Sequence, residues 1–244
     1  MGKERLDVLL VERGLADSRE QARRLVMAGS VLVGGHAAPK AGHKIASDSE
    51  ITVKNRARFV SRGGDKLQAA FEVFGLSVEG LNCLDVGSST GGFTDCMLQH
   101  GARHVVALDV GTAQLHWKMR QDKRVTVMEQ FNARRLTAAD LPFAPGFASF
   151  DVSFISLRLV MPSVVSVLEP EGELVTLIKP QFEAGREQVE KGGVVRDEAV
   201  HRAVVDDIQD FGVRELGLEW LGVHESPVRG PAGNIEFLAW WRKS

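Results

Sequence analysis

The chain has 244 residues, enough for one or two domains, and its 44% hydrophobic and 25% charged residues are typical of a globular protein. No stretch approaches the roughly 18 apolar residues of a membrane span. Two cysteines 13 residues apart indicate neither a disulfide scaffold nor a zinc cluster, and no secretory signal is visible. We therefore expect a cytoplasmic protein without a metal site.

The net charge of −2 is unevenly distributed along the chain. Residues 1–58 hold 11 Lys and Arg against 7 Asp and Glu, a net charge of +4, whereas residues 59–244 carry −6. A small basic segment joined to a larger acidic one favours contact between the first segment and a polyanion. We predict a first domain over 1–58, a linker over 59–64 and a second domain over 65–244.

The basic segment has the pattern of two short helices followed by short strands. Apolar residues between Leu6 and Val11 predict the first helix, which Gly14 ends. Either Asp17 or Ser18 caps the second helix, with a capping-box residue three positions later. A Gly-Gly turn then separates short strands predicted around 31–33 and 51–53.

Residues 4–56 resemble the alpha-L RNA-binding motif, which was first named from a ribosomal protein. The resemblance rests on the opening RLD, the helix DSREQARRL and the turn GSVLVGG. In that family the arginine-bearing helix and the following turn face structured RNA. The alternative is that these arginines are only the solvated face of a helix. The RNA interpretation predicts contacts from Arg5, Arg19, Arg23, Arg24, Lys44 and Arg62.

The strongest signal in the chain is a β-α-β unit over residues 83–109. A buried strand at 83–86 leads into a glycine-rich turn at 87–92 and a helix, and a second strand ends in Asp109. Glycine lets a ligand approach backbone that a Cβ would block. Asp109 is placed to accept hydrogen bonds from ribose hydroxyls.

The turn GSSTGG does not match the GxGxxG spacing of dinucleotide-binding proteins well. Asp85 precedes its first glycine, where a carboxylate would repel a pyrophosphate but would suit a cation or an ammonium group. The pattern DVGSSTGGFT resembles the first motif of class I methyltransferases, and more narrowly the FtsJ-like group. The resemblance implies S-adenosyl-L-methionine as cofactor, bound by Asp85, Gly87, Ser88, Ser89, Thr90, Gly91, Gly92, Phe93, Asp109, Val110, Asn132, Asp151 and Phe154.

The remaining segments continue the alternation of strands and helices. Strands are predicted near 125–128, 147–150 and 174–178, a helix follows a cap at Asp197, and two consecutive strands end the chain. This order predicts an α/β, Rossmann-like class I methyltransferase domain with a mostly parallel seven-stranded sheet and an antiparallel last strand. A small α+β alpha-L domain precedes it.

Four charged residues are predicted at the ligand-binding edge of this sheet. Asp151 and Lys179 end strands, Glu236 lies in the last strand, and Lys66 begins the helix that leads into the domain. Because ligands of open α/β sheets bind outside the carboxyl ends of the strands, these side chains can converge. FtsJ-like ribose methyltransferases carry a Lys-Asp-Lys-Glu tetrad in this order, so the resemblance implies that all four are catalytic. Lys179 is either a general base or an electrostatic clamp on the acceptor hydroxyl.

Over nearly all of residues 4–241 the chain resembles the TlyA, or hemolysin-A-like, family, which joins an alpha-L module to an FtsJ-like methyltransferase. The segments SRGGDKL, DVSFISL, LIKPQFE and KGGVVRD support this resemblance. It implies 2′-O-methylation of a ribose, that of cytidine, in ribosomal RNA, with ribosomal subunits as partners. One alternative is a catalytically inactive ribosome-binding protein, against which the intact tetrad argues. A membrane-active haemolysin is a weaker alternative, because no spanning or strongly amphipathic segment is visible.

Overall fold

The computed structural model describes residues 2–54 and 57–244, and the chain divides into two compact units, Met1–Ala57 and Arg58–Ser244. Residues 55 and 56, at the end of the alpha-L resemblance, lie outside the described residues. Phe59 is buried and a helix begins at Gly63, so the segment 59–64, predicted as a linker, packs here with the second unit. The division into functional domains stays a prediction.

The first unit is a small α+β module. Its elements are β1 (Lys3–Arg5), α1 (Leu6–Glu12), α2 (Arg19–Met27), β2 (Val31–Val33), β3 (His36–Ala37), β4 (Lys44–Ala46) and β5 (Ile51–Val53). β1 pairs with β4, and β2 lies between β3 and β5, all antiparallel. Ser18 is the cap of α2, since its Oγ accepts a hydrogen bond from the backbone N–H of Gln21 at 3.2 Å.

The core of the first unit forms between its two helices and the strands that follow them. One face of α1 is buried through Leu6, Leu9 and Leu10, as its apolar spacing predicts. Ala22 and Val26 of α2 pack against the same cluster. These contacts fix the positions of the side chains that leave the first turns of α1 and α2.

The second unit is built on a seven-stranded sheet with the order β11-β12-β10-β9-β6-β7-β8. Its strands are β6 (Asn82–Val86), β7 (His104–Leu108), β8 (Val125–Met128), β9 (Phe147–Phe150), β10 (Glu173–Ile178), β11 (Leu218–Glu225) and β12 (Phe237–Lys243). β12 runs antiparallel to both of its neighbours, whereas the strands from β10 to β8 are parallel. The predicted mostly parallel seven-stranded sheet is therefore confirmed.

Helices cover both faces of this sheet. They are α3 (Gly63–Phe74), α4 (Gly92–Gln99), α5 (Trp117–Gln121), α6 (Leu157–Val167), α7 (Pro180–Glu183) and α8 (Glu198–Leu216). One apolar cluster joins the sheet to α6 and α8, and a second joins it to α3 and α4. Strands buried on both faces need no polar alternation, which explains apolar runs such as 174–178. Asp197 caps α8 as predicted, because its Oδ1 accepts the N–H of Ala199 at 2.8 Å.

The central strand β6 carries a carboxyl group into the interior. The Asp85 side chain is fully buried, and its oxygens accept hydrogen bonds from Thr94 Oγ1 at 2.6 Å and Ser149 Oγ at 3.3 Å. Burial raises the pKa of Asp85 to about 7, although the hydrogen bonds from the two hydroxyl groups act in the opposite direction. Near neutral pH the folded protein thus holds a proton here more tightly than the unfolded chain does.

This raised pKa predicts a specific dependence of stability on pH. A carboxyl whose folded pKa lies above its unfolded value makes the free energy of unfolding decrease as pH rises, here between about 4 and about 7. Asp85→Asn keeps the shape of the side chain without its charge, so it should remove this contribution to the pH dependence of the free energy of unfolding. Urea unfolding should show that Asp85→Asn gains stability relative to wild type between pH 5 and pH 8, by an amount on the order of a few kcal/mol.

The exposed carboxyl of Asp206 offers a matched control, because Asp206→Asn removes the same charge without a buried proton. Its stability relative to wild type should not change between the two pH values. If the difference in free energy of unfolding between Asp85→Asn and wild type stayed constant with pH, this would contradict the buried proton.

Candidate active site

Two adjoining cavities lie where β6, β7 and β9 end. The larger measures about 520 Å³ and the smaller about 220 Å³, and Gly87, Ser89 and Asp151 line both. β6 is paired with β9 on one side and with β7 on the other. The cavities therefore occupy the position at which open α/β sheets bind ligands.

The larger cavity has a carboxylate held in a fixed orientation. Asp109 Oδ2 accepts the N–H of Ser89 at 2.8 Å, and Oδ1 accepts the N–H of Gly111 at 2.7 Å. Each carboxylate oxygen keeps a further lone pair that a hydroxyl can use. Asn132 lines the same cavity, and its Oδ1 accepts the N–H of Arg134 at 3.1 Å, a bond that does not use its amide N–H donors. Val110 and Phe154 are further lining residues and are highly exposed.

The glycine-rich turn meets the loop after β9 backbone to backbone. Gly87 has a φ of +83°, and a Cβ at this position would lie 2.8 Å from the carbonyl oxygen of Asp151 and 3.2 Å from the Cα of Val152. Any side chain would push these two loops apart. Glycine is therefore required at the wall that the two cavities share.

The smaller cavity carries positive charge. Lys66 and Arg62 line it, together with the predicted turn residues Ser88, Thr90, Gly92 and Phe93. Arg229 and Ser61 also line it and were not predicted, because nothing in the sequence places the loop between β11 and β12 beside α3.

The four predicted catalytic side chains form one continuous chain of charges. Lys66 Nζ lies 2.6 Å from Glu236 Oε2 and 3.8 Å from Asp151 Oδ2, and Asp151 Oδ1 lies 2.6 Å from Lys179 Nζ. The two lysines and Glu236 are buried, whereas the Asp151 side chain is 22% exposed. The structure thus brings all four together, with signs that alternate along the chain. Glu236 immediately precedes β12 instead of lying within it.

Lys179 also binds a residue that sequence reasoning missed. Its Nζ donates a hydrogen bond to Ser153 Oγ at 2.9 Å and forms an ion pair with Asp151 Oδ1 at 2.6 Å. Ser153 and Asp151 line the larger cavity, whereas Lys179 itself lines neither cavity. An ammonium group has three N–H donors, so it has further donors beyond the bond to Ser153. The only sequence signal for Ser153 is its position two residues after Asp151 in the same extended segment.

A carboxylate outside the tetrad fixes the segment that follows Lys179. Glu183 of α7 accepts hydrogen bonds from Ser156 Oγ at 2.6 Å and from the N–H of Leu157 at 2.8 Å, at the start of α6. Burial raises the pKa of Glu183. The segments after β9 and β10 are therefore tied to each other next to Asp151 and Lys179.

Two residues predicted to bind the cofactor lie elsewhere in the described part of the chain. Asp85 lines neither cavity, because at its position in β6 the side chain points toward Thr94 and Ser149 inside the unit. Gly91 also lines neither, and a Cβ there would meet Leu115 Cδ1 at 2.8 Å. Both residues support the turn from within, and their predicted contact with the cofactor stays a prediction.

The basic residues predicted to bind RNA fall into separate groups. Arg5, Arg19 and Arg23 converge on the buried carboxylate of Asp7, while Arg24 lies 3.9 Å from exposed Glu20. Lys44 of β4 pairs in register with Arg5 of β1. In the described residues no group of His, Cys, Asp and Glu could hold a metal ion, and no helix is long and apolar enough to cross a membrane.

Comparison with known proteins gives matches over the whole chain. The family model for FtsJ-like methyltransferases matches residues 59–243, and the model for the S4 domain matches residues 4–51. YqxC of Bacillus subtilis is 53% identical over 97% of this chain and 84% of its own length. The 16S/23S rRNA (cytidine-2′-O)-methyltransferase TlyA of Mycobacterium tuberculosis is 44% identical over 98% of this chain and 89% of its own length.

A solved structure agrees with these matches. A protein from Streptococcus thermophilus named as a hemolysin is 50% identical, with a TM-score of 0.76 over 100% of this chain and 90% of its own. Family models, relatives and fold therefore give one result: the chain belongs to the TlyA, or hemolysin-A-like, family of FtsJ-like methyltransferases that carry an S4 domain.

Proposed function

We propose that this protein transfers a methyl group from S-adenosyl-L-methionine to the 2′-hydroxyl of a cytidine ribose in ribosomal RNA. The observation that carries the proposal is the buried chain of Lys66, Asp151, Lys179 and Glu236 beside the two cavities. The relative from Mycobacterium tuberculosis is named for this reaction on 16S and 23S rRNA. Ribosomal subunits as partners and a cytoplasmic location belong to the same proposal.

The residues around the cavities suit the proposed cofactor. The volume of about 520 Å³ lies within the range of roughly 300–1,000 Å³ of small-ligand sites. Asp109 would accept the ribose hydroxyls, the amide of Asn132 would face the adenine, and Val110 and Phe154 would cover its ring. The positive side chain of Arg62 in the smaller cavity suits the carboxylate of the amino-acid part. When bound, the cofactor supplies an electrophilic methyl carbon on a sulfonium.

The tetrad has the right groups to hold an acceptor hydroxyl. Methyl transfer requires the oxygen to be aligned with the methyl carbon while its proton leaves. Ser153 accepts one N–H of Lys179 and Asp151 pairs with its charge, so a further N–H can point at the acceptor oxygen. The ion pair with Asp151 and the hydrogen bond to Ser153 hold the Lys179 side chain in place, as the clamp role requires. The clamp would stabilise negative charge developing on the oxygen.

Methyl transfer to purified ribosomal subunits tests the proposed function. With labelled S-adenosyl-L-methionine, we expect label in ribosomal RNA at a cytidine whose 2′-oxygen no longer permits alkaline cleavage. Incubating each subunit separately identifies the substrate. Label on a base or on protein, or RNA binding without any transfer, would overturn the assignment.

The clamp role predicts what substitution of Lys179 does. Lys179→Ala should reduce single-turnover methylation by about 10²–10³-fold, because one preorganised electrostatic group is lost. Lys179→Arg should fail similarly, since a planar fork on a longer arm cannot place one donor at the same point. Cofactor affinity should change little, because Lys179 lines neither cavity.

Lys191→Ala is the control, because this lysine is exposed. It should methylate at the wild-type rate. A rate for Lys179→Ala within a few-fold of wild type would show that Lys179 is only a strand-end lysine.

Gly87 should be required for the cofactor. In Gly87→Ala the new methyl group would meet the Asp151 carbonyl and separate the two loops that form the shared wall. Calorimetry should show at least about tenfold weaker binding of S-adenosyl-L-methionine, equivalent to about 1.4 kcal/mol.

Gly80→Ala separates this effect from backbone strain. Gly80 has a similar φ of +71°, but a Cβ there meets nothing within 4 Å. Both variants should lose stability on the order of 1 kcal/mol from the left-handed backbone, and only Gly87→Ala should lose cofactor affinity. Equal cofactor affinity in the two folded variants would refute the shared wall.

A further inference from the structure

The first unit contains a buried carboxylate surrounded by three arginines. Asp7 lies in the first turn of α1 and is 0% exposed. Its Oδ1 accepts Arg5 Nε at 2.9 Å, and its Oδ2 accepts Arg5 Nη2 at 3.0 Å and Arg19 Nη2 at 3.1 Å. Arg23 Nε lies 3.5 Å from Oδ2. We call these four residues the Asp7 cluster.

The Asp7 cluster carries more positive charge than its fold requires. A buried carboxylate needs a partner, because desolvating an unpaired charge costs several kcal/mol. Arg5 alone provides a two-point ion pair, and this hydrogen bonding holds the pKa of Asp7 well below its usual range despite burial. Arg19 and Arg23 add two further charges, so the cluster has a net charge of +2.

The arrangement of the arginines is unfavourable unless something holds them. Arg19 and Arg23 are four residues apart on α2, a spacing at which like charges destabilise a helix. Asp7 Oδ2 lies within 3.5 Å of both and offsets their repulsion. The three arginine side chains nevertheless stay 38%, 51% and 56% exposed, so a ligand can reach each of them from solvent.

The backbone at Gly42, next to the Asp7 cluster, leaves room for the planar guanidinium group of Arg5. A Cβ at Gly42 would lie 3.1 Å from Arg5 Nη2 and 3.4 Å from its Cζ. Arg5 therefore packs closely over a residue without a side chain. Arg24 makes a useful contrast, because on the same helix it only approaches exposed Glu20 at 3.9 Å.

We propose that Asp7 is a positioning residue that holds Arg5, Arg19 and Arg23 as one preformed site for a phosphodiester group of RNA. Arginine suits this ligand, because its planar fork matches two phosphate oxygens. Three exposed guanidiniums around one carboxylate leave a local excess of charge that an anion would neutralise. That the anion belongs to RNA rests on the proposed function.

This proposal predicts a change in RNA affinity opposite to the change that the net charge of the protein alone predicts. Removing a negative charge near an RNA-binding surface should strengthen binding, because affinity rises with the positive charge presented to phosphates. If Asp7 instead positions the arginines, Asp7→Asn should weaken binding although the protein becomes more positive. Asp48→Asn makes the same charge change at an exposed residue of the same unit and should bind RNA as tightly as wild type, or more tightly.

The experiment measures binding of the full-length protein to purified large-subunit ribosomal RNA over a series of salt concentrations. We expect Asp7→Asn to bind RNA about tenfold more weakly. The slope of the logarithm of the binding constant against the logarithm of the salt concentration should be shallower by about 1–2, since fewer phosphate contacts form. Affinity equal to or above that of wild type would overturn the proposal.

A double-mutant cycle separates positioning from a general structural role. In the background Arg19→Gln/Arg23→Gln, Asp7→Asn should reduce RNA affinity by a smaller factor than in the wild-type background, because two of the three arginines that it positions are already gone. An equal loss in both backgrounds would mean that Asp7 only supports the fold, and would overturn the proposal.

The arginine variants keep the proposal testable if Asp7→Asn does not fold. Arg23→Gln should then lose several-fold in affinity, and Arg24→Gln, with the same charge change outside the cluster, should lose less. The double variant Arg19→Gln/Arg23→Gln should lose less than the product of the single losses, because the residues act as one site. Equal losses of RNA affinity in Arg23→Gln and Arg24→Gln would overturn the proposal.

Methyl transfer measured in parallel separates this inference from the proposed function. If wild type binds the RNA without methylating it, the function fails and the Asp7 cluster stands. If Asp7→Asn binds and methylates like wild type, the cluster fails and the function stands.

Discussion

The candidate active site depends on how four charges, three of them buried, compensate one another. Moving a single charge out of water costs several kcal/mol, so Lys66, Lys179 and Glu236 can be buried only because Asp151 and one another supply opposite charge at hydrogen-bonding distance. The four come from the start of α3, the ends of β9 and β10 and the residue before β12. Their pairing therefore requires that these elements meet in one register, which ties the geometry of the site to the assembly of the sheet.

The two cavities share a wall in which Gly87 meets the backbone of Asp151, and this wall links the cavities to the tetrad. Asp151 pairs with both lysines through its carboxylate, and its carbonyl oxygen faces Gly87 so closely that a Cβ would lie 2.8 Å away. A shift of the glycine turn would thus move the residue that organises the charges. Glu183, bound to the start of α6, fixes the loop on the other side of Asp151.

Sequence patterns predicted the strands well because strands buried on both faces are apolar throughout. Asp151 and Lys179 stood out as charged residues that end such runs, whereas the set of four was expected from the resemblance to FtsJ-like methyltransferases. Sequence patterns did not predict side-chain direction. Asp85 was expected at the ligand, yet its place in β6 turns it inward to Thr94 and Ser149, since alternate residues of a strand point to opposite faces. The contacts of Ser153 and of the Asp7 cluster were not predicted either, because they depend on packing between separate segments. Lys179 is 26 residues from Ser153, and Asp7 is 12 residues from Arg19.

In both units a carboxylate orients cationic side chains, but the balance of charge differs. Asp151 and Glu236 neutralise two lysines, so the tetrad has no net charge with which to hold an anion, which suits the proposed action of Lys179 on a neutral hydroxyl. Asp7 neutralises only one of three arginines, so the cluster keeps the charge that a phosphate requires. Under the proposed function, a balanced site beside the acceptor would avoid holding the RNA backbone there, because a strong phosphate site would compete with the ribose for the same side chains. The excess charge lies instead in the first unit, at the proposed phosphodiester site.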